Sequence, residues 1–243
     1  MNISLAAEKI FHLYSFPLTN SLITAWLLVL TIAIFLIIIS KSLTKLVPSG
    51  MQNFLELIIE SLLKLFDQVT QDRKLTKKFF PIVGSIFIVV ILSNWTEILP
   101  GIGSIGLKEN HHLLPLFRSP STDLNFTAAI AISAVLSIQF FGIVLIGLFK
   151  HLGKYFNFKN PIKLFVGLLE MVSELAKILS FSLRLFGNIF AGEVLLLVVA
   201  FLVPFIAPLP FYFLEIFVGF IQALIFSMLT LVFLTAAAKI EEH

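Results

Sequence analysis

The sequence predicts an all-α membrane protein with five membrane-crossing helices and an amphipathic surface helix, the last two crossing helices being long, tilted and antiparallel. Two observations carry this prediction. Of the 243 residues, 58% are hydrophobic, whereas soluble domains are usually about 45–50% apolar. The excess lies in long apolar runs, and the loops between them alternate between many and few Lys and Arg residues.

The elements follow in chain order within a single membrane domain, 1–243. The predicted crossing helices cover about 20–40, 79–99, 124–149, 162–203 and 210–238, and the surface helix covers 51–68. The run Leu22–Ile39 has no small-residue cleavage site and can cross a hydrocarbon core of about 30 Å, so we expect a retained helix rather than a signal peptide. Residues 51–68 place charges between apolar residues at helical spacing, which is typical of a helix at the membrane surface.

The last two runs are too long to stand upright in a bilayer. A helix over 162–203 would be about 60 Å long, roughly twice the hydrocarbon thickness. A strong tilt resolves this mismatch. The turn VPFIAPLPF carries three prolines and separates the two helices, which we therefore expect to be antiparallel.

The loop charges predict the orientation. Loops 41–78 and 150–163 are rich in Lys and Arg, whereas the N-terminus, loop 100–123 and turn 203–210 are not. The positive-inside rule then places the N-terminus outside and the C-terminus in the cytoplasm. We expect a multi-pass protein of a bacterial plasma (inner) membrane, with an organelle inner membrane as the alternative. No internal repeat is visible, which disfavours an inverted-repeat transporter.

Composition excludes several kinds of site. The chain has no cysteine, and its five histidines show no metal-ligand spacing, so neither a disulfide nor a metal site is expected. The net charge of +3 is small and lies in loops, so nucleic acid is not an expected partner.

The fourth run carries an unusual polar face. A 100° advance per residue places five polar residues on one broad face with Phe181: Glu170, Glu174, Lys177, Arg184 and Asn188. Glu170 lies about 20 Å to the inner side of Arg184, and Glu193 lies about 13 Å to its outer side. By the same period, Glu193 points about 180° away from Arg184.

Arg184 carries the functional prediction. A charge at the middle of a crossing helix costs at least about 2.5–3.5 kcal/mol and usually marks function. A permanent cation with carboxylates on either side can separate two ion-access routes, because it cannot relay protons but favours ionisation of a passing carboxylic acid. In the fifth run, Glu215 and Gln222 share a face with Gly219, which permits close helix approach. We expect Gln222 to lie about as deep as Arg184.

Other polar residues have a structural interpretation beside the functional one. Near helix ends, Asn94, Glu97 and Asp123 are secondary candidates, but such residues often only cap a helix or reach the interface. Lys177 is also explained by a structural pair with Glu174 or Glu170. If Glu193 and Glu215 come close, they form a coupled carboxylate pair that titrates as a unit.

Three other protein classes fit less well. A voltage sensor needs several arginines at three-residue spacing, and here there is one. An intramembrane hydrolase needs a paired nucleophile and base within the spans, and all histidines lie outside them. A pure scaffold would not need Arg184. A different secondary ion transporter or channel stays open as an alternative on these residues alone.

The stretch LSFSLRLFGNIFAGE (179–193) resembles the defining motif of subunit a of the F-type rotary ATP synthases. Three more stretches resemble the family's motifs in the same order: SNWTEILPG (93–101), SPSTDLNFT (119–127) and GFIQALIFSMLTLVFL (219–234). The resemblance covers most of the chain from about residue 80 onward. Residue 215 departs from the pattern, since many bacterial members carry histidine there.

The resemblance implies a stator subunit with two proton half-channels that open to a rotating ring of c subunits and couple proton movement to ATP synthesis. Such a subunit is not an enzyme by itself, and no cofactor is expected. Arg184 then faces the ring carboxylates beside Asn188 and Gln222, Glu193 and Glu215 belong to the outer half-channel, and Glu170 belongs to the inner one. The implied partners are the c ring, the b-subunit peripheral stalk, the remaining synthase subunits and the lipid bilayer. A sodium-translocating version of the same subunit is the alternative.

Overall fold

The computed structural model describes residues 8–13, 16–42, 50–99, 102, 105–109, 112–155, 161–204 and 206–239. Its α-helices over these ranges are α1 (Asn20–Ser42), α2 (Met51–Thr70), α3 (Arg73–Trp95), α4 (Leu124–Ile146), α5 (Leu148–Tyr155), α6 (Pro161–Leu202) and α7 (Pro208–Lys239). Two antiparallel hairpins complete the described elements: β1 (Lys9–Leu13) with β2 (Phe16–Thr19), and β3 (Gly106–Glu109) with β4 (His112–Pro115).

Five helices of the described ranges are long and apolar enough to cross a membrane: Asn20–Ile39, Arg73–Ile98, Leu124–Ile146, Pro161–Leu202 and Pro208–Ala238. The predicted class, an all-α membrane protein with five crossing helices, is confirmed. The two hairpins were not predicted. The first hairpin precedes the first apolar segment and the second lies between the second and third, and outside the apolar segments the backbone is free to form short local pairs.

Local signals fix the ends of the helices. Asp72 caps α3 by accepting the backbone N–H of Lys74 at 2.8 Å, and Asp123 caps α4 by accepting that of Asn125 at 2.9 Å. α4 ends at Ile146 because Gly147 takes φ of 89°, a conformation that favours glycine. The sequence predicts a span to 149 followed by a basic loop, whereas the structure begins the short helix α5 at Leu148.

Helices α3, α4, α6 and α7 pack around a continuous apolar core. One buried cluster joins all four helices through Phe87, Val90, Ile91, Ala131, Ala134, Phe181, Leu185, Ile189, Ala223 and Phe226. A second cluster adds α2 through Phe66, together with Phe79, Val83, Ile138, Leu231 and Leu234. Many outward-facing side chains of these helices are exposed and apolar, as expected for lipid or subunit contact.

Contacts between α6 and α7 run in opposite directions along the two helices. The Phe181 ring lies 4.8 Å from that of Phe226, and Gly192, eleven residues later on α6, touches Glu215, eleven residues earlier on α7. The two long helices are therefore antiparallel, as predicted.

The helical bundle has two distinct ends. We call the end with the starts of α1 and α4, the end of α3 and the α6–α7 turn the upper end, and the end with α2, α5 and the start of α6 the lower end. At the upper end, the Asn20 amide donates to the Pro115 carbonyl at 3.3 Å, and the Ser21 hydroxyl donates to Asp123 at 2.5 Å. These contacts tie α1 to the segment that enters α4.

At the lower end, α2 packs through Phe66, whose ring lies 5.9 Å from that of Phe80 on α3. The turn between the two helices is closed by Arg73, which pairs with Glu60 at 3.1 Å and with Asp67. Exposed apolar side chains on the first half of α2 include Phe54 and Leu57. Its location at the membrane surface stays a prediction.

Candidate functional site

Arg184 lies near the middle of α6 on its exposed face. Its guanidinium donates to the Ser180 hydroxyl at 3.2 Å, one turn earlier. Within the described part of the chain, no carboxylate lies at ion-pair distance from it. The 3.6-residue period puts Val166, Leu195 and Val198 on the same face, and all three are exposed. The cation therefore stands on an apolar surface without an ionic partner from the described residues of this subunit.

A direct hydrogen bond joins the two long helices next to Arg184. Asn188 donates through Nδ2 to Oε1 of Gln222 at 2.7 Å. Gln222 is buried, and its Nε2 has no hydrogen-bond partner among the described residues. Asn188 follows Arg184 by one turn of helix. Gln222 therefore lies within about 6 Å of the depth of Arg184, where the sequence predicts it.

Three glutamates and one arginine gather at the upper end of the bundle. Glu193 of α6 forms an ion pair with Arg118 at 3.0 Å, and Arg118 precedes α4 in the chain. Glu97 lies in the 3₁₀ turn Thr96–Ile98 after α3, within electrostatic range of Arg118, Glu193 and Glu215. We call these four residues the upper carboxyl cluster.

Glu215 and Glu97 have no ionic partner within the described residues. The Glu215 side chain is buried and lies directly against the backbone of Gly192, where any larger side chain would collide with its carboxyl group. Both carboxyl oxygens of Glu97 are buried without a hydrogen-bond partner in the described ranges. The structure thus pairs Glu193 with Arg118 and shows no hydrogen bond between Glu193 and Glu215 in the described chain.

Hydrogen bonds between helices hold this cluster in place. Asn94 donates to the Gly219 carbonyl at 3.0 Å, and the Trp95 indole donates to the Ile216 carbonyl at 3.1 Å. These bonds fix the end of α3 against α7 beside Glu215. Gly219 permits the contact because an added Cβ would lie 3.2 Å from that of Asn94, closer than packed side chains normally come.

Asp123 has a structural position. It caps α4 and accepts the Ser21 hydroxyl of α1, so its carboxylate is already engaged. The nearby Arg118 N–H donates to the Thr24 hydroxyl at 3.2 Å, which fixes the backbone that carries the Arg118 side chain. Ser121 donates to the Asn94 Oδ1 at 2.7 Å and joins this segment to α3.

The lower end holds the remaining predicted residues in ion pairs. Glu170 pairs with Lys154 of α5, and Glu174 pairs with Lys177 at 2.7 Å. The Lys177 ammonium also lies 4.3 Å from the centre of the Phe233 ring, a favourable cation–π arrangement. Lys177 thus forms the expected pair with a nearby glutamate, Glu174. A cavity of about 300 Å³ opens beside Glu170 and Lys154.

Hydrogen bonds among three polar side chains hold helix α5 against α4. His151 Nε2 lies 2.7 Å from Gln139 Oε1, which also accepts the Tyr155 hydroxyl at 3.1 Å. Burial lowers the pKa of His151 and the charge of Lys154 lowers it further, so the ring is neutral. A neutral imidazole donates through Nε2 to the amide oxygen without a buried charge.

Sequence reasoning missed Arg118. Its loop holds few basic residues and was interpreted only as a topology signal. The available clue was its place immediately before SPSTDLNFT, the segment that enters α4. No group of three or more His, Cys, Asp or Glu residues in the described ranges is arranged to hold a metal ion.

Comparison with known proteins gives a consistent family. The family model described as ATP synthase A chain matches residues 22–235. The ATP synthase subunit a of Campylobacter jejuni is 37% identical over 218 residues, covering 88% of each chain. That of Campylobacter fetus is 35% identical over 246 residues and covers 98% of each chain. This multi-pass membrane chain therefore belongs to the ATP synthase A chain family.

Proposed function

We propose that this chain is the ion-conducting stator subunit of an F-type ATP synthase, with two half-channels that meet a rotating c ring near Arg184. It is a non-catalytic subunit of the complex: it moves ions, and the ATP chemistry occurs elsewhere in the synthase. Its partners are the c ring, the b-subunit peripheral stalk, the remaining synthase subunits and the lipid bilayer. The proposal assigns it to the plasma (inner) membrane of a bacterium, with the N-terminus outside and the C-terminus in the cytoplasm.

The observation that carries the proposal is the environment of Arg184. An exposed guanidinium surrounded by apolar side chains at membrane depth is unfavourable unless another subunit supplies a negative charge. A ring of small subunits that each present a carboxylate satisfies that need repeatedly as it turns. Arg184 attracts each carboxylate in its ionised form and, being permanently charged, prevents protons from crossing directly between the two routes.

The two ends of the bundle support the two routes. The upper carboxyl cluster offers acid groups toward the outside, and Glu170 with its neighbouring cavity offers one toward the cytoplasm. Asn188 and Gln222 lie between the upper cluster and Arg184, where polar side chains can hydrogen-bond to a passing ion or water. Proton is the proposed coupling ion. A sodium-translocating version is the alternative, and measuring synthesis with an imposed proton gradient in sodium-free buffer separates the two.

The direct test is Arg184→Ala in the complete synthase, reconstituted into vesicles. We expect loss of both ATP synthesis under an imposed gradient and ATP-driven pumping, with the subunit still present in the complex. Arg184→Lys should also lose most activity, because an ammonium lacks the planar guanidinium and changes its pKa readily when buried. Arg73→Ala is the matched control, because it also removes a guanidinium, but one whose ion pairs with Glu60 and Asp67 are solvent-exposed and therefore weak. Coupled synthesis by Arg184→Ala at the rate of the parent would overturn the proposal.

A further inference from the structure

Arg118 occupies a position that links the upper carboxyl cluster to the rest of the bundle. Arg118 is 9% exposed, and its guanidinium lies 3.0 Å from the Glu193 carboxylate. The exposed fractions of the two side chains are 10% and 24%, so water reaches this pair only partly. An ion pair that is this shielded fixes both charge and geometry more strongly than a surface pair.

The other two acids of the cluster, Glu97 and Glu215, have no cation paired with them in the described chain. Glu215 lies against Gly192 with no ionic partner, and the oxygens of Glu97 are buried and unsatisfied within the described chain. Buried carboxyls without cations favour the neutral, proton-carrying form. The cluster therefore contains one acid held by a cation and two acids free to exchange a proton.

Other groups around the cluster supply no second cation to Glu97 or Glu215 among the described residues. From α1 the contact to Arg118 is the uncharged Thr24 hydroxyl, and from α4 the nearest acid is Asp123, which is held by Ser21 and by the backbone of Asn125. From α3, α6 and α7 come Glu97, Glu193 and Glu215 themselves. Among the described residues, Arg118 is the cation that pairs with Glu193 and that lies within electrostatic range of Glu97.

We propose that Arg118 is a positioning residue of the outer route: it holds Glu193 as a fixed ion pair and leaves Glu97 and Glu215 as the carboxyls that exchange the proton. A proton enters from the outside onto Glu97 or Glu215 and leaves the same group toward the polar side chains at Gln222. No bond other than O–H is made or broken. This proposal rests on the proposed function, because it assumes that the upper cluster conducts.

The test measures ATP synthesis by the whole complex in vesicles, as a function of pH on the outer face. The inner pH is fixed, and an imposed electrical potential keeps the total driving force constant. A carboxyl loads a proton below its pKa, so synthesis declines as the outer pH rises above that value. In Arg118→Gln, the uncompensated charge of Glu193 attracts protons to the cluster, and we expect this alkaline decline to move up by about 1 pH unit.

Two further variants test the same charges: one should shift the alkaline decline in the opposite direction, and the other should restore the profile of the parent. Glu193→Gln leaves the Arg118 cation without its counter-charge, so the alkaline decline should move down by about 1 pH unit. The double variant with both substitutions removes both charges, and its profile should return close to that of the parent. Arg118→Lys keeps the charge and should shift the profile less than Arg118→Gln. Rates are compared at matched amounts of assembled subunit.

The outcomes separate this proposal from the one that it rests on. A purely structural Arg118 would lower assembly or maximal rate in Arg118→Gln without moving the pH profile, and that result would overturn the inference. Equal shifts in the single and double variants would also overturn it. If Arg118→Gln does not assemble, the downward shift in Glu193→Gln and the rescue by the double variant decide the question. A parent complex that shows no proton-driven synthesis would instead contradict the proposed function.

Discussion

Two arginines of the bundle differ in the charges around them. Arg118 is buried and paired with Glu193 inside the subunit, whereas Arg184 is exposed, donates to the Ser180 hydroxyl and has no carboxylate at ion-pair distance within the described chain. A guanidinium keeps its proton in both environments, so each site needs a negative charge. The first charge comes from the same chain. The second must come from another molecule, which is the physical reason for placing a carboxylate-bearing rotor at Arg184.

Glu215 tests the outer route at the level of a single side chain. We expect Glu215→Leu to slow proton transport severalfold, because it removes one exchangeable proton and leaves an apolar group beside Glu97. Glu215→His should keep most of the activity, since imidazole also binds and releases protons near neutral pH. The measurement is the initial rate of ATP-driven proton uptake into vesicles at matched assembly.

The surroundings of Arg184 provide the control for Glu215. The two residues are separated by more than two turns of helix, so neither Glu215 variant should disturb the ring interface, and labelling of a cysteine beside Arg184 should stay unchanged. Full activity in Glu215→Leu would show that position 215 is only a buried neighbour and that the outer route runs elsewhere.

Polar residues that lie among apolar sequence neighbours could be recognised as candidate site residues from the sequence. Arg184 stands out because nearly all flanking residues are apolar, and Asn188 with Gln222 stand out for the same reason. Arg118 did not stand out, since a basic residue in a loop normally faces water. Its position depends on contacts with Thr24 of α1, 94 residues earlier, and with Glu193 of α6, 75 residues later. Such long-range packing leaves no periodic signal in the sequence.

At the scale of elements, α5 connects the lower end of α4 to α6. The carbonyl of Tyr155 contacts Gly167 of α6 so closely that an added Cβ would collide with it. Lys154 reaches Glu170 on the next turn of α6. The short helix therefore sets the position of the first predicted acid of the inner route.

His151 gives α5 a pH dependence. Its pKa is lowered by burial, so the folded state binds less proton than the unfolded state as the pH falls below about 6.5. The stability from the neutral ring is complete above that pH and is lost as the pH falls through the folded value. We expect the thermal midpoint of the full chain in mild detergent to decline from pH 7.5 to pH 5, and the decline to be shallower in His151→Gln.

Circular dichroism followed over the pH series provides this measurement. Other groups also titrate in the same range, so the informative quantity is the difference between the two pH slopes rather than either slope alone. The amide introduced by His151→Gln would still be able to hydrogen-bond to Gln139 but cannot take up a proton. Identical slopes for the parent and this variant would contradict the account of α5.

The long helices were predictable because length and hydropathy act over many residues. A run of about 40 apolar residues cannot stand upright in a bilayer, and the three prolines of the turn define its end. The boundary at Gly147 was missed because α5 is short and its first residues, Leu148 and Phe149, continue the apolar run of α4. The hairpins were missed because strands of four or five residues outside the membrane segments are too short to give a hydropathy pattern.

At the scale of the whole molecule, acids paired with or close to cations form two separate groups, one at each end of the bundle. The upper end carries three acids around Arg118, and the lower end carries Glu170 and Glu174 with their lysines. Between the ends, Arg184 is the charged group on the exposed face of α6. This arrangement supports two separate ion routes that meet only at the surface where a rotor would turn.

The central claim is that the two routes open on opposite faces of the membrane. The chain has no cysteine, so a single introduced cysteine is the only site at which this subunit can be labelled. The variants are Glu193→Cys, Glu215→Cys and Glu170→Cys in the assembled synthase, and Leu136→Cys, on the exposed apolar face of α4, is the control that should not react. Each is treated with a membrane-impermeant thiol reagent from one face at a time. The account predicts labelling of positions 193 and 215 from the outside and of position 170 from the cytoplasm. Labelling of all three from the same face would contradict it.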